Sequence, residues 1–161
     1  MRKARLILSA SLLTIGTFSA MTFSSCSKDD TECAAGYEGK NCETQYRLEM
    51  VGTYNATDVD DVTGTSFPYT PVISANTTSS TPTVVTIANF GDFYSNTELV
   101  TSNLSKSGNI ISFTIPAQKP DNVYQVTGNG TFNTQTKKID IHYTLDNGVT
   151  TKNYTGVWTK I

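Results

Sequence analysis

Ile139, Ile141, Tyr143 and Leu145 occupy alternate positions of one short segment, with Asp140, His142 and Thr144 between them. Strict alternation of this kind marks a strand with one face buried and the other wet. The same period recurs from residue 46 to 161, and no apolar pattern of helical period is sustained there. Leu48, Met50, Gly52 and Tyr54 share a face of a first strand. Residues 67–75 read as a second, interrupted at Pro71, residues 83–90 as a third and residues 97–104 as a fourth. Ile111, Phe113 and Ile115 line a fifth, which Pro116 ends. Tyr124, Val126 and Phe132 lie on one side of a sixth, with Gly128 and Gly130 between them. Residues 139–145 form the seventh, and Tyr154, Gly156 and Trp158 stand in phase in an eighth.

The linkers are tight. Ser107-Gly108-Asn109, residues 133–137 and Asp146-Asn147-Gly148 each leave room only for a hairpin, and Asn-Gly is a strong hairpin signal because both residues accept positive φ. The fold class is therefore all-β, an antiparallel meander of about eight strands closed as an up-and-down barrel, with a two-sheet sandwich as the alternative. Gly128 and Gly130 within one strand predict a bend or a close backbone approach. The strands lack an outward apolar band, so a barrel that crosses a membrane is not expected.

Composition removes several functions. Charged residues are 16% of the chain, below the roughly 25% of average globular domains. A formal charge of −2 does not suit a nucleic-acid binder, which needs clustered Lys and Arg. One His and three Cys leave few metal ligands, so no metal and no cofactor is expected. His142 is out of phase with Ile141 and Tyr143 and should face solvent. No Ser sits in a nucleophile elbow, and the chain is not expected to be an enzyme. Asp58, Asp60 and Asp61 follow the first strand; clustered carboxylates can hold calcium, but the spacing is not that of a calcium loop, and a solvated loop is expected. Phe93 and Tyr94 follow Gly91-Asp92 in a loop and are the best candidates for an exposed contact, while most other aromatic side chains should fill the core.

The N terminus is an address. Arg2, Lys3 and Arg5 precede an apolar run over residues 6–23, which ends in Ser24-Ser25 before Cys26. This is a secretory signal peptide over residues 1–25. It holds three of the chain's 12 basic residues and none of its 14 acidic ones, so the mature chain is more acidic than the whole. Its ending resembles the lipobox of bacterial lipoproteins, with Phe23 where an aliphatic residue is usual. The resemblance implies cleavage before Cys26 and lipid on its sulfur and new amine; an ordinary secreted protein with a stray Cys is the alternative. Residues 26–32 then form an acidic tether. Its Lys28-Asp29-Asp30 is similar to the export signal of surface lipoproteins in the Bacteroidota, which implies the outer face of the outer membrane; a solvated spacer is the alternative.

Residues 33–42 read CAAGYEGKNC, which resembles the last loop of an epidermal-growth-factor-like module over ten residues. With Cys26 acylated, Cys33 and Cys42 remain as the pair for one disulfide, and residues 33–45 are expected to act as a rigid spacer. GYEGKNCE at 36–43, VGTY at 51–54, VVTIANFGDF at 84–93, IISFTIPAQ at 110–118 and GNGTF at 128–132 together resemble small Bacteroidota surface lipoproteins. Gly52-Thr53-Tyr54 is similar to the Gly-x-Trp of lipocalins, with Tyr54 in place of Trp, which implies a calycin-like barrel over residues 46–161. The expected function is a lipid-anchored envelope protein with a filled core and a non-enzymatic, accessory role; a lipocalin-like carrier of a small apolar ligand is the alternative. The expected partners are the membrane, through Cys26, and an envelope protein, a glycan or a small apolar ligand, but not nucleic acid.

Overall fold

Burial follows the alternation: along Lys138–Asp146, Ile139, Ile141, Tyr143 and Leu145 are buried, while Lys138, Asp140 and His142 are exposed. The computed structural model describes residues 33–75 and 81–161. The signal peptide, Cys26 and the Lys28-Asp29-Asp30 tether lie outside the described residues.

The strands are β1 (Tyr37–Glu38), β2 (Thr44–Gln45), β3 (Gly52–Asp60), β4 (Ser66–Tyr69), β5 (Val72–Ala75), β6 (Val84–Ala88), β7 (Val100–Ser107), β8 (Ile110–Gln118), β9 (Gln125–Asn133), β10 (Lys138–Asp146) and β11 (Thr151–Lys160). Each strand from β5 to β11 pairs antiparallel with the next. β11 then returns to β3, and β3 pairs with β5, which closes an antiparallel barrel of 8 strands. Closure leaves no open edge for another chain to extend. β4 and β5 are two halves of one broken strand on the same side of β3, and Thr70-Pro71 interrupts them because proline donates no ladder hydrogen bond.

Side chains of alternating size fill the interior. One register row runs Asp58, Gly156, Ile141, Gly130, Phe113, and the next runs Ala56, Trp158, Ile139, Phe132, Ile111. A Cβ on Gly130 would overlap the Phe113 ring, so this glycine creates the space in which Phe113 packs. Trp158, Tyr54, Tyr94, Tyr154, Phe90 and Phe132 are all fully buried. No buried side-chain nitrogen or oxygen among the described residues lacks a hydrogen-bond partner. Close packing of this kind leaves little lumen in a barrel of this strand number.

Several strand boundaries differ from the sequence reading; the expected third strand, for one, ends at Ala88 and leaves Phe90 in a 3-10 turn. Residues 46–49 form a 3-10 turn, not the start of a strand; β3 begins at Gly52, and Leu48 is exposed while Met50 is buried. β8 runs through Pro116 to Gln118, because the proline faces outward at a register shift where its missing N–H breaks no regular ladder. The fourth strand starts at Val100 rather than residue 97, since Ser95 and Glu98 first close a turn with each other.

The two ends of the barrel are unlike. At the base, a Cys33–Cys42 disulfide closes the β1–β2 hairpin. The clasp and the turn that follows it are held against the barrel. The buried Arg47 guanidinium donates to the carbonyls of Thr81 and Val84 at 3.1 and 3.0 Å, and the Tyr46 hydroxyl donates to the Leu104 carbonyl. Lys106 pairs with Glu38 and Lys137 with Glu49 across the same seam. The opposite end carries the β3–β4, β6–β7, β8–β9 and β10–β11 connections.

Candidate functional site

The expected contact residues fall at this loop end, and the structure divides them. Asp61 lies in the exposed β3–β4 turn and Phe93, 41% exposed, in the β6–β7 connection. Tyr94 is 1% exposed, and its hydroxyl donates to the Tyr124 carbonyl at 2.8 Å, so it ties two loops together from within. The sequence reading of Tyr94 as a surface contact is therefore corrected.

The acidic cluster is corrected more strongly. Asp58 and Asp60 belong to β3, in phase with Tyr54 and Ala56, and both point into the barrel. Asp60 Oδ1 accepts the backbone N–H groups of Val62 and Thr63, which folds the turn and holds the Asp60 carboxyl below its ordinary range. Asp58, 1% exposed, sits in a cage of three donors. Tyr69 and Tyr143 donate to its Oδ2 at 2.7 and 2.9 Å, and the Trp158 indole N–H donates to Oδ1 at 2.9 Å. Burial raises the Asp58 pKa, and the three hydrogen bonds oppose that rise. Burial and the nearby carboxylate push the Tyr143 hydroxyl far up, so it remains a donor.

The roof over this cage is the short 3-10 segment Phe90–Asp92. Phe90 inserts into the barrel, 4.7 Å from the Tyr143 ring and 5.8 Å from Trp158 between centroids. Asn89 and Gly91 both take left-handed backbone conformations, which turn Phe90 inward. A side chain at Gly91 would meet Phe93 and the Tyr143 hydroxyl. Sequence reasoning missed Tyr69, Tyr143, Trp158 and Phe90 as one unit. The available signal was phase: Asp58 shares the parity of Tyr54, and Trp158 the parity of Tyr154.

Outside this sealed interior, the loop end is apolar at its tips. Val62 is 84% exposed and Val149 92%; Val123, Leu99 and Phe93 join them, so every loop at this end presents at least one apolar side chain. Asp61, Asp92, Glu98, Asp121 and Asp146 surround them, against Lys119 and Lys152. Between the tips lies a small hollow of about 120 Å³ lined by Phe93, Tyr124, Leu145 and Tyr154. His142 faces outward on β10, as its phase requires. Among the described residues, no group of three His, Cys, Asp or Glu side chains is placed to hold a metal ion.

No protein-family model matches this chain, and no curated protein sequence matches it. A solved structure of a candidate outer membrane protein from Bacteroides fragilis is similar over 71% of this chain, with 15% sequence identity and a TM-score of 0.43. The match covers 52% of that protein, so this chain spans about half its length.

Proposed function

We propose that the chain is a lipid-anchored protein of the bacterial cell envelope that acts by non-enzymatic contact with another envelope protein, through the loop end of a filled barrel. The observation that carries this reading is the pairing of a packed interior with apolar tips on all four loops of one end. Isolated exposed apolar residues are ordinary, but a cluster of them on one face is characteristic of an interaction surface. The acidic residues around the tips favour a protein partner with basic character over an anionic lipid surface.

In this reading the lipid sits on Cys26 and the clasp faces the membrane. Residues 27–32 separate Cys26 from the clasp, a reach of at most about 25 Å when fully extended. The clasp, similar to half of an epidermal-growth-factor-like module, then holds the base in place and turns the loop end outward. Export to the outer face through Lys28-Asp29-Asp30 completes the arrangement. A lipocalin-like carrier would need a lumen, and the eight aromatic or sulfur-bearing side chains that are fully buried among the described residues oppose it: Trp158, Tyr54, Tyr94, Tyr154, Phe90, Phe113, Phe132 and Met50.

The test is site-specific photo-crosslinking in intact cells, with the crosslinker placed at Val149 or at Thr136 in the turn at the base. The expected result is a discrete crosslinked species from position 149 and none from position 136. Equal crosslinking from both ends, or none from either, would overturn the proposal.

A further inference from the structure

We infer that the outer face of β9, β10 and β11 carries a binding cleft for a neutral, polyhydroxylated ligand, namely a stretch of uncharged glycan. The cleft has a volume of about 450 Å³, within the roughly 300–1,000 Å³ span of small-molecule sites. Strand register builds its floor. Thr127, Thr144 and Asn153 form one cross-strand row, and Asn129, His142 and Thr155 form the next, with Asp61 at the edge.

A chain of hydrogen bonds sets the imidazole. The Thr155 hydroxyl donates to Asp61 Oδ1 at 2.9 Å and lies 3.1 Å from His142 Nδ1. With its proton committed to Asp61, the hydroxyl oxygen accepts from Nδ1–H. A neutral imidazole carries one ring proton, so Nε2 is left as an acceptor. On the next row the Thr144 hydroxyl donates to Asn153 Oδ1 at 2.7 Å, which leaves the Asn153 amide hydrogens as donors. Asn129 adds a second amide and Thr127 a hydroxyl.

This set selects among ligands. No Lys or Arg lines the cleft, and Asp61 is its one acidic side chain. A phosphate, sulfate or carboxylate would find no Lys or Arg to pair with and would be repelled by Asp61. An apolar ligand would leave the amides and the imidazole desolvated without partners. A sugar hydroxyl donates and accepts at once, and adjacent hydroxyls on a ring match closely spaced acceptors and donors such as these. The cleft lies on the side of the barrel and borders the loop end at Asp61, while Asn129 and His142 lie further down the strands. The inference rests on the reading of the chain as a binding protein, but it can fail without removing the loop-end contact.

His142 is the one histidine of the chain, so its ring signals need no assignment among rivals. The experiment titrates the ¹⁵N-labelled mature protein with maltohexaose, xylohexaose, cellopentaose and chitohexaose, and with inorganic phosphate for comparison. The expected result is a saturable shift of the His142 ring nitrogens with at least one oligosaccharide and none with phosphate. By calorimetry, His142→Ala and Asn129→Ala should each weaken that binding by about tenfold or more. No shift with any of the four at about 10 mM, unchanged affinity in both variants, or saturable binding of phosphate would overturn the inference. The Val149 crosslink should survive in Asn129→Ala, which separates the two proposals.

Discussion

Gly156 stands directly opposite Asp58 in the β11–β3 ladder, and the space its missing Cβ leaves is where the Asp58 carboxylate lies. A Cβ at position 156 would overlap Asp58 Oδ1 outright and crowd Ile141 as well. The glycine thus permits the carboxylate to lie over β11 and reach the Trp158 indole. Gly156→Ala should cost about 2–4 kcal/mol in denaturant unfolding, from overpacking together with displaced hydrogen bonds. The same substitution made on an Asp58→Ala background should cost much less, because the space is then vacant. The coupling in this double-mutant cycle should reach about 1–3 kcal/mol, and strict additivity would refute the account.

Asp58 also gives the fold an unusual dependence on pH. Its native pKa is raised by burial, against the pull of the hydrogen bonds from Tyr69, Trp158 and Tyr143. Between the unfolded pKa of about 4 and the raised native value, the native state binds the proton more tightly than the unfolded state. Stability from this residue is therefore complete below about pH 4 and declines as pH rises through the native value. Asp60, whose pKa is lowered by the Thr63 and Val62 N–H groups, behaves oppositely: its contribution is present above about pH 4 and is lost as pH falls. Asp58→Asn isolates the first effect. Its amide oxygen can accept from Trp158 while its NH₂ donates to the tyrosine hydroxyls, so the variant should fold with a loss of about 1 kcal/mol. The wild-type advantage over Asp58→Asn should shrink as pH rises above about 4; an advantage that grows with pH would show that the sign is wrong.

The meander was legible because the sequence alternates over long stretches: Ile139 to Leu145 and Tyr154 to Trp158 assign their own faces. Pro71 also marked a real break. Closure was expected from the strand number and the tight turns, with a sandwich as the alternative, and the pairing that achieves it, β11 with β3, joins residues as far apart as Trp158 and Ala56. The acidic cluster misled because charge was weighed above phase. Asp58 keeps the inward parity of Tyr54, and its cost of burial is met by Tyr69, Tyr143 and Trp158, partners that no local reading of residues 54–61 contains. Tyr94 misled for a similar reason: the left-handed turn at Asn89 and Gly91 that brings its segment into the barrel depends on what lies beneath it. The cleft beside His142 was invisible because it is made by register between three strands.

The clasp and the barrel should come apart in order. A disulfide closing a loop as short as Cys33–Cys42 stabilises it by about 2–3 kcal/mol. The docked contacts of Arg47 and Tyr46 remain after reduction. Reduction should therefore speed amide exchange in β1 and β2 while β8, β9 and β10, buried in the closed sheet, keep their protection. Global unfolding on reduction, with equal loss of protection in β9, would show that the clasp is part of the cooperative core.

The filled core makes the most direct prediction. Trp158 is the one tryptophan of the chain and lies within the barrel beside Phe90 and Tyr54, so its fluorescence reports on the interior. In the wild type a small apolar probe such as benzene should not perturb Trp158, because no lumen is open to it. Phe90→Ala removes the ring that roofs the Asp58 cage and packs on Tyr143 and Trp158. It should cost about 3–5 kcal/mol and leave an apolar cavity under the β6–β7 loop. A cavity of that kind stays dry and accepts small apolar molecules. Benzene should therefore stabilise Phe90→Ala and not the wild type, in proportion to its free concentration. If the wild type itself takes up the apolar probe with a change at Trp158, the barrel opens in solution, and a carrier of apolar ligands replaces the filled-core reading.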